Sequence, residues 1–104
     1  MLDGRPGLMA RLLVTSAAEQ DFTRALCWYA ERSRHAAEGF NAEFDRVLEL
    51  LSADPERFPL CDKRHRFCLM RRFPYQVIYR DCGDHWAVIA VAHAKRKPDY
   101  WSSR

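Results

Sequence analysis

The sequence predicts an α+β fold: a helical hairpin packed on a small three- to four-stranded antiparallel sheet, in the order β-α-α-β-β-β. Three observations predict it. Apolar residues recur at helical spacing from Ala18 to Leu51. The period then changes to two, and the segments Arg66–Arg72, Tyr75–Arg80 and His85–His93 are rich in aromatic and β-branched residues. A short β-rich segment, Arg11–Thr15, precedes the helices.

Each element has local punctuation. Residues Met1–Leu8 carry Gly, Pro and charge without periodicity and read as a disordered leader. An ordered pattern starts directly after Met9, which makes Met9 an alternative start and 9–104 the single domain. Ser16 and Glu19 form an S-x-x-E capping box that opens the first helix. Its apolar face is Ala18, Phe22, Ala25, Leu26 and Tyr29. Ser33 breaks the helix and caps a second one, with the stripe Ala37, Phe40, Phe44, Val47, Leu48 and Leu51. The opposite face carries Glu38, Glu43, Asp45, Arg46 and Glu49. Asp54-Pro55 ends this helix, because the residue before proline is pushed out of the helical region. A loop spans Glu56–Lys63. Pro74 separates the first two strands of a meander, and Asp81-Cys82-Gly83-Asp84 turns the chain into the third. The first strand is expected to join the meander at its edge.

Composition narrows the function. A chain of 104 residues accommodates one small core, and its 48% hydrophobic and 30% charged residues are those of a globular protein. The formal net charge of +3 is too small for a protein whose main role is to coat nucleic acid. The charge is unevenly distributed. From Lys63 onward there are ten Lys or Arg and only three acids, Asp81, Asp84 and Asp99, so the C-terminal half favours an acidic partner or a polyanion. The four cysteines show no C-x-x-C or zinc-ligand spacing; Cys27 and Cys68 read as small core residues, and no metal site is expected. No apolar run approaches the ~20 residues that span a membrane. A cytoplasmic protein with reduced thiols is the simplest reading.

Three segments resemble a known family. Leu50-Leu51 followed by Asp54-Pro55 resembles the end of its second helix. Arg71-Arg72-Phe73-Pro74-Tyr75-Gln76-Val77-Ile78-Tyr79 is similar to its R-F-P-Y-x-V-x-Y pattern. Val88–His93 with Arg96-Lys97-Pro98 and Tyr100-Trp101 is similar to its A-V-x-H-x-x-R-x-P-x-x-W end. Over residues 9–101 the chain thus resembles the RelE/ParE superfamily of type II toxins, also called plasmid-stabilisation proteins. The resemblance implies an intracellular growth inhibitor neutralised by a cognate antitoxin that wraps a flexible segment around it. It implies contact with operator DNA only through that antitoxin, and no cofactor.

Two targets follow from the resemblance. A RelE-like member is an endoribonuclease that cleaves mRNA on the ribosome, and a ParE-like member acts on DNA gyrase without catalysis. Cleavage through a 2′-oxygen needs a base, cations around the phosphate and a donor to the leaving group. The candidates are His93, Arg96 and Tyr100, with Arg66 and Arg71 if the register shifts by one. By alignment on Tyr75, the positions of the nuclease's strand cations hold Phe67, Leu69 and Gln76, which favours the ParE-like branch. A target-binding face would then draw on Arg71, Arg72, Arg80, Lys95, Arg96, Lys97, Tyr100 and Trp101. Each has a plainer reading beside it. His93 ends a strand as a packed residue, Lys95–Lys97 is a solvated run, and Tyr100-Trp101 staples the tail to the sheet, the reading that aromatic burial favours. Trp28 and Trp86 are antitoxin anchors or core residues.

Overall fold

The computed structural model describes residues 10–95 and 100–104. Two helices lie against a four-stranded sheet, in the order β1 (Leu12–Val14), α1 (Ser16–Ala30), α2 (Arg34–Ala53), β2 (His65–Leu69), β3 (Tyr75–Asp81) and β4 (Trp86–His93). The expected leader, Met1–Leu8, lies outside the described residues.

The helix boundaries follow from capping. Ser33 caps α2 as expected, its hydroxyl accepting from the Ala36 N–H at 3.1 Å. At α1 the expected capping box is displaced by one residue. Thr15 is the cap, its Oγ1 accepting from the Ala18 N–H at 3.2 Å, and Ser16 is the first helical residue. Thr15 wins because it is still extended, its N–H bonded to Val88 O across the sheet, so its side chain is free to turn back onto the first helical turn.

The sheet order is β1-β4-β3-β2. The β2–β3 and β3–β4 pairs are antiparallel, the expected meander. Strand β1 does join at the edge, but parallel to β4, with Leu12 opposite Trp86 and Val14 opposite Val88. The sheet is therefore mixed rather than wholly antiparallel. Alternation of side chains reports which face is buried and carries no information about strand direction. Strand β2 stops at Leu69, short of the expected Arg72, because the Met70 N–H already closes onto Tyr75 O.

Each sheet face has its own apolar cluster. The helix side holds Phe40, Phe44, Val47 and Leu51 against Cys68, Val77, Tyr79, Val88 and Val91. Phe22 stacks on Phe44 with ring centres 4.5 Å apart, and Phe73 meets Phe40 edge-on at 5.3 Å. The other face holds Ile78, Ala87, Ile89, Ala90 and Ala92 beneath Trp101. A register shift between Ile78 and Tyr79 skips Ile89 on β4, so Ile89 and Ala90 both reach this second cluster. Cys68 is buried as expected; Cys27 is exposed on α1, not in the core. Its position is flanked by the exposed side of Trp28, outside the stripe that meets the sheet.

Candidate functional site

The expected site residues fall on three separate parts of the molecule. Arg71 and Arg72 stand exposed in the β2–β3 turn. Arg72 adopts φ 69°, a left-handed backbone that a non-glycine residue rarely takes. The turn is held from α2. Glu43 accepts from the Arg71 N–H, while Arg46 donates to both of its oxygens at 2.8 and 2.7 Å. Glu43 is thus an anchor, only 10% exposed at its side chain, rather than part of a solvated acidic face.

Beyond β4 the chain turns at Ala94, whose N–H donates to Pro74 O at 2.7 Å, and at Lys95, whose N–H donates to His93 Nδ1 at 3.1 Å. Lys95 is exposed. Arg96 and Lys97 lie outside the described residues. Where the description resumes, the tail is docked. Trp101 is 5% exposed, its ring edge-on to buried His65 at 4.9 Å. It is not an exposed anchor; the staple reading holds for it. Arg80 is half-buried and directed inward, donating to Arg104 O at 2.9 Å beside His65 Nε2 at 3.4 Å. His65 is fixed from behind by Asp62, whose carboxylate lies 2.9 Å from Nδ1. Arg80 and Trp101 therefore belong to the tail's docking site and not to an outer face.

Tyr100 is partly exposed, but its hydroxyl donates to Asp21 Oδ2 at 3.1 Å. Burial first, and then the Asp21 carboxylate, push its phenol up to about 12. Asp21 was not among the expected residues. It also accepts from the Val91 N–H at 3.1 Å and takes a two-pronged contact from Arg104 at 2.7 and 3.2 Å. The available signal was its position: Asp21 follows Ala18 by three residues and precedes Ala25 by four, which puts a charge on the apolar stripe of α1.

Of the described nuclease candidates, His93 and Tyr100 line one cleft, while Arg66 and Arg71 stand elsewhere. His93 lies opposite Tyr75 on the helix side of the sheet, their rings 5.1 Å apart. Arg66 lies opposite Tyr79 on that same side, four positions along β3, and donates to Phe58 O at 2.7 Å and Glu56 O at 3.2 Å. These bonds tie its guanidinium to the loop before β2. Phe67 stands opposite Ile78, and Leu69 opposite Gln76, on the other face. That face carries the apolar cluster buried beneath Trp101, and Leu69 at its edge is 60% exposed.

A shallow cleft of about 540 Å³ separates α1 from the ends of β3 and β4, lined by Arg24, Trp28, Tyr29, Tyr75, His93 and Tyr100 among others. Trp28 is 49% exposed, with the Arg32 guanidinium 3.7 Å over its ring. Trp86, by contrast, packs on Tyr79 at 5.7 Å. Of the two expected anchors, Trp28 is the one left available. Among the described residues no cluster of His, Cys, Asp or Glu could hold a metal ion. No described helix is long and apolar enough to cross a membrane.

Residues 12–98 match the family model of the ParE toxin of the type II toxin–antitoxin system parDE. The chain belongs to the ParE toxin family. Its β-α-α-β-β-β order is the one that the RelE/ParE resemblance implies, and the matched span runs from β1 past the end of β4. Among solved structures, this ParE-family chain is similar to a chain of the chromosomal ParDE toxin–antitoxin system from P. aeruginosa, with a TM-score of 0.73 at 15% identity. The match covers 84% of this chain and 98% of that one, and at this identity it speaks for the fold. No curated protein matched the sequence significantly.

Proposed function

We propose that this ParE-family toxin arrests growth by acting on DNA gyrase, and that a cognate antitoxin neutralises it. The observation that carries the choice of target is the sheet face opposite the helices. Where a ribosome-dependent endoribonuclease would place strand cations, this chain has Phe67, Leu69 and Gln76. A phosphate in flight between two oxygens needs fixed positive charge around it, and these three side chains supply none. Inhibition by binding needs only a surface. Here it would draw on the exposed cations Arg71, Arg72 and Lys95, on Arg96 and Lys97, which follow Lys95 in sequence, and on the partly exposed Tyr100. The antitoxin's segment would anchor at Trp28 in the cleft beside α1, and operator DNA would be reached only through the antitoxin.

The test is induction of the toxin alone in cells, followed by labelled thymidine and labelled methionine incorporation over the first minutes. DNA synthesis stopping first is the expected result. Methionine incorporation stopping first would assign the chain to the mRNA-cleaving branch, and no change in either would remove the growth-inhibitor reading.

A further inference from the structure

The β2–β3 turn is held on both sides of Arg72. The Met70 N–H donates to Tyr75 O at 3.0 Å and the Tyr75 N–H to Phe73 O at 2.8 Å, which closes the turn. Before Arg72, Glu43 accepts from the Arg71 N–H. After it, the Phe73 ring meets Tyr29 edge-on at 5.2 Å and Phe40 at 5.3 Å, and Pro74 O accepts from the Ala94 N–H at 2.7 Å. Arg72 joins these two anchored neighbours in the left-handed region, the only non-glycine residue among the described residues to have a positive φ. Glycine takes that conformation without crowding, whereas a side chain there costs stability. Strain of this kind persists where the surroundings over-determine the backbone, and it gathers at functional sites.

The Arg72 side chain returns nothing to the fold. It is exposed, and no hydrogen bond or ion pair joins it to another described residue. A side chain that costs stability through its backbone and contributes none through contacts is accounted for by something outside the chain. A guanidinium is a planar fork of donors that matches the paired oxygens of a carboxylate or a phosphate. The setting favours the carboxylate. Leu69, three residues earlier at the end of β2, is 60% exposed. An exposed apolar side chain and an arginine at one end of a hairpin suit a protein interface, whereas nucleic acid is met by broad positive charge. The net charge of +3 does not supply that breadth.

We propose that Arg72 is a specificity-determining contact for the target: presented on a preformed turn, its guanidinium takes a carboxylate on the protein surface of gyrase. The inference rests on the reading of this toxin as a gyrase inhibitor. The turn is already ordered in the free toxin, so the contact forms without the cost of ordering backbone.

The experiment uses the whole chain and purified gyrase without DNA, with binding followed by calorimetry and inhibition of supercoiling followed in parallel. Arg72→Gly is expected to melt at the wild-type temperature or above it, and to bind gyrase roughly ten-fold more weakly. Loss of affinity without loss of stability separates a contact from a structural residue, which would lose both. Arg72→Gln keeps the Cβ and the left-handed backbone and removes the charge; it is expected to lose affinity to the same extent at an unchanged midpoint. Arg72→Lys keeps the charge without the fork and should fall between. Wild-type affinity in Arg72→Gly or Arg72→Gln would overturn the proposal and leave the target reading intact. Weakening that appears only when DNA is added would give the contact to a phosphate and overturn the carboxylate assignment. A wild-type protein that neither binds nor inhibits gyrase would overturn the target reading, and this contact with it.

Discussion

The Glu43 carboxylate on α2 holds the backbone N–H of Arg71, 28 residues further along the chain, and so ties the β2–β3 turn to the helical layer. The Arg46 hydrogen bonds, followed by the Arg71 N–H, hold the Glu43 carboxyl below its usual 4.5. A carboxyl depressed in the folded state contributes stability that is complete above its unfolded value and is lost as pH falls through the folded one. Glu43→Gln should therefore flatten the acid limb of the stability curve below pH ~4.5. At neutral pH Glu43→Ala should cost about 2 kcal/mol and speed exchange of the Arg71 amide. An unchanged acid limb in urea melts of Glu43→Gln would remove Glu43 as the anchor.

Arg72 occupies a left-handed conformation at φ 69°, where its Cβ crowds the following carbonyl. Arg72→Gly should leave stability unchanged or raise it by up to about 1 kcal/mol, and Arg72→Val should lower it by more than about 1 kcal/mol. Thermal melts of the two variants would decide this. Equal midpoints would mean that the turn relaxes out of the left-handed region.

Gly39 lies inside α2, and a methyl group there would meet Phe73 Cζ at 3.5 Å, an ordinary contact. Glycine in a helix interior is the less stable choice because it has more freedom to lose. Gly39→Ala should raise stability by about 0.5–1 kcal/mol, read as a higher urea midpoint at unchanged slope. A lower midpoint would show that Phe73 cannot accommodate the methyl group.

Tyr79 is fully buried in the helix-side core, and its hydroxyl donates to Pro55 O at 2.6 Å. Burial pushes its phenol up to about 12 from an ordinary 10.0. The unfolded chain then loses this proton first as pH rises, so the contribution is complete below pH 10 and disappears between 10 and about 12. Two pK units correspond to a loss on the order of 2–3 kcal/mol across that window. Tyr79→Phe should cost about 1 kcal/mol at neutral pH, because Pro55 O loses its partner, and should remove much of the alkaline slope. Tyr100, also raised, will leave a residual slope in that variant. An alkaline limb as steep as that of the wild type would count against this account.

The layout of the elements was legible in the sequence because it depends on neighbours along the chain. Ser33 and Asp54-Pro55 bound α2, Pro74 breaks the meander, and the stripe from Phe40 to Leu51 faces the sheet. Phe67, Leu69 and Gln76 were also legible, since they are simply the residues present at those strand positions. Their meeting on one face needed the pairing register, which places Leu69 opposite Gln76. Other features had no local signal. The parallel direction of β1, the inward course of Arg80 and Trp101, and the double role of Asp21 all depend on partners elsewhere in the fold. Asp21 finds Val91 and Arg104 at separations of 70 and 83 residues. Residue type and period determine which side chains are buried; only the assembled fold determines which buried charge meets which partner, because a hydrogen bond between distant residues leaves no periodic trace in the sequence.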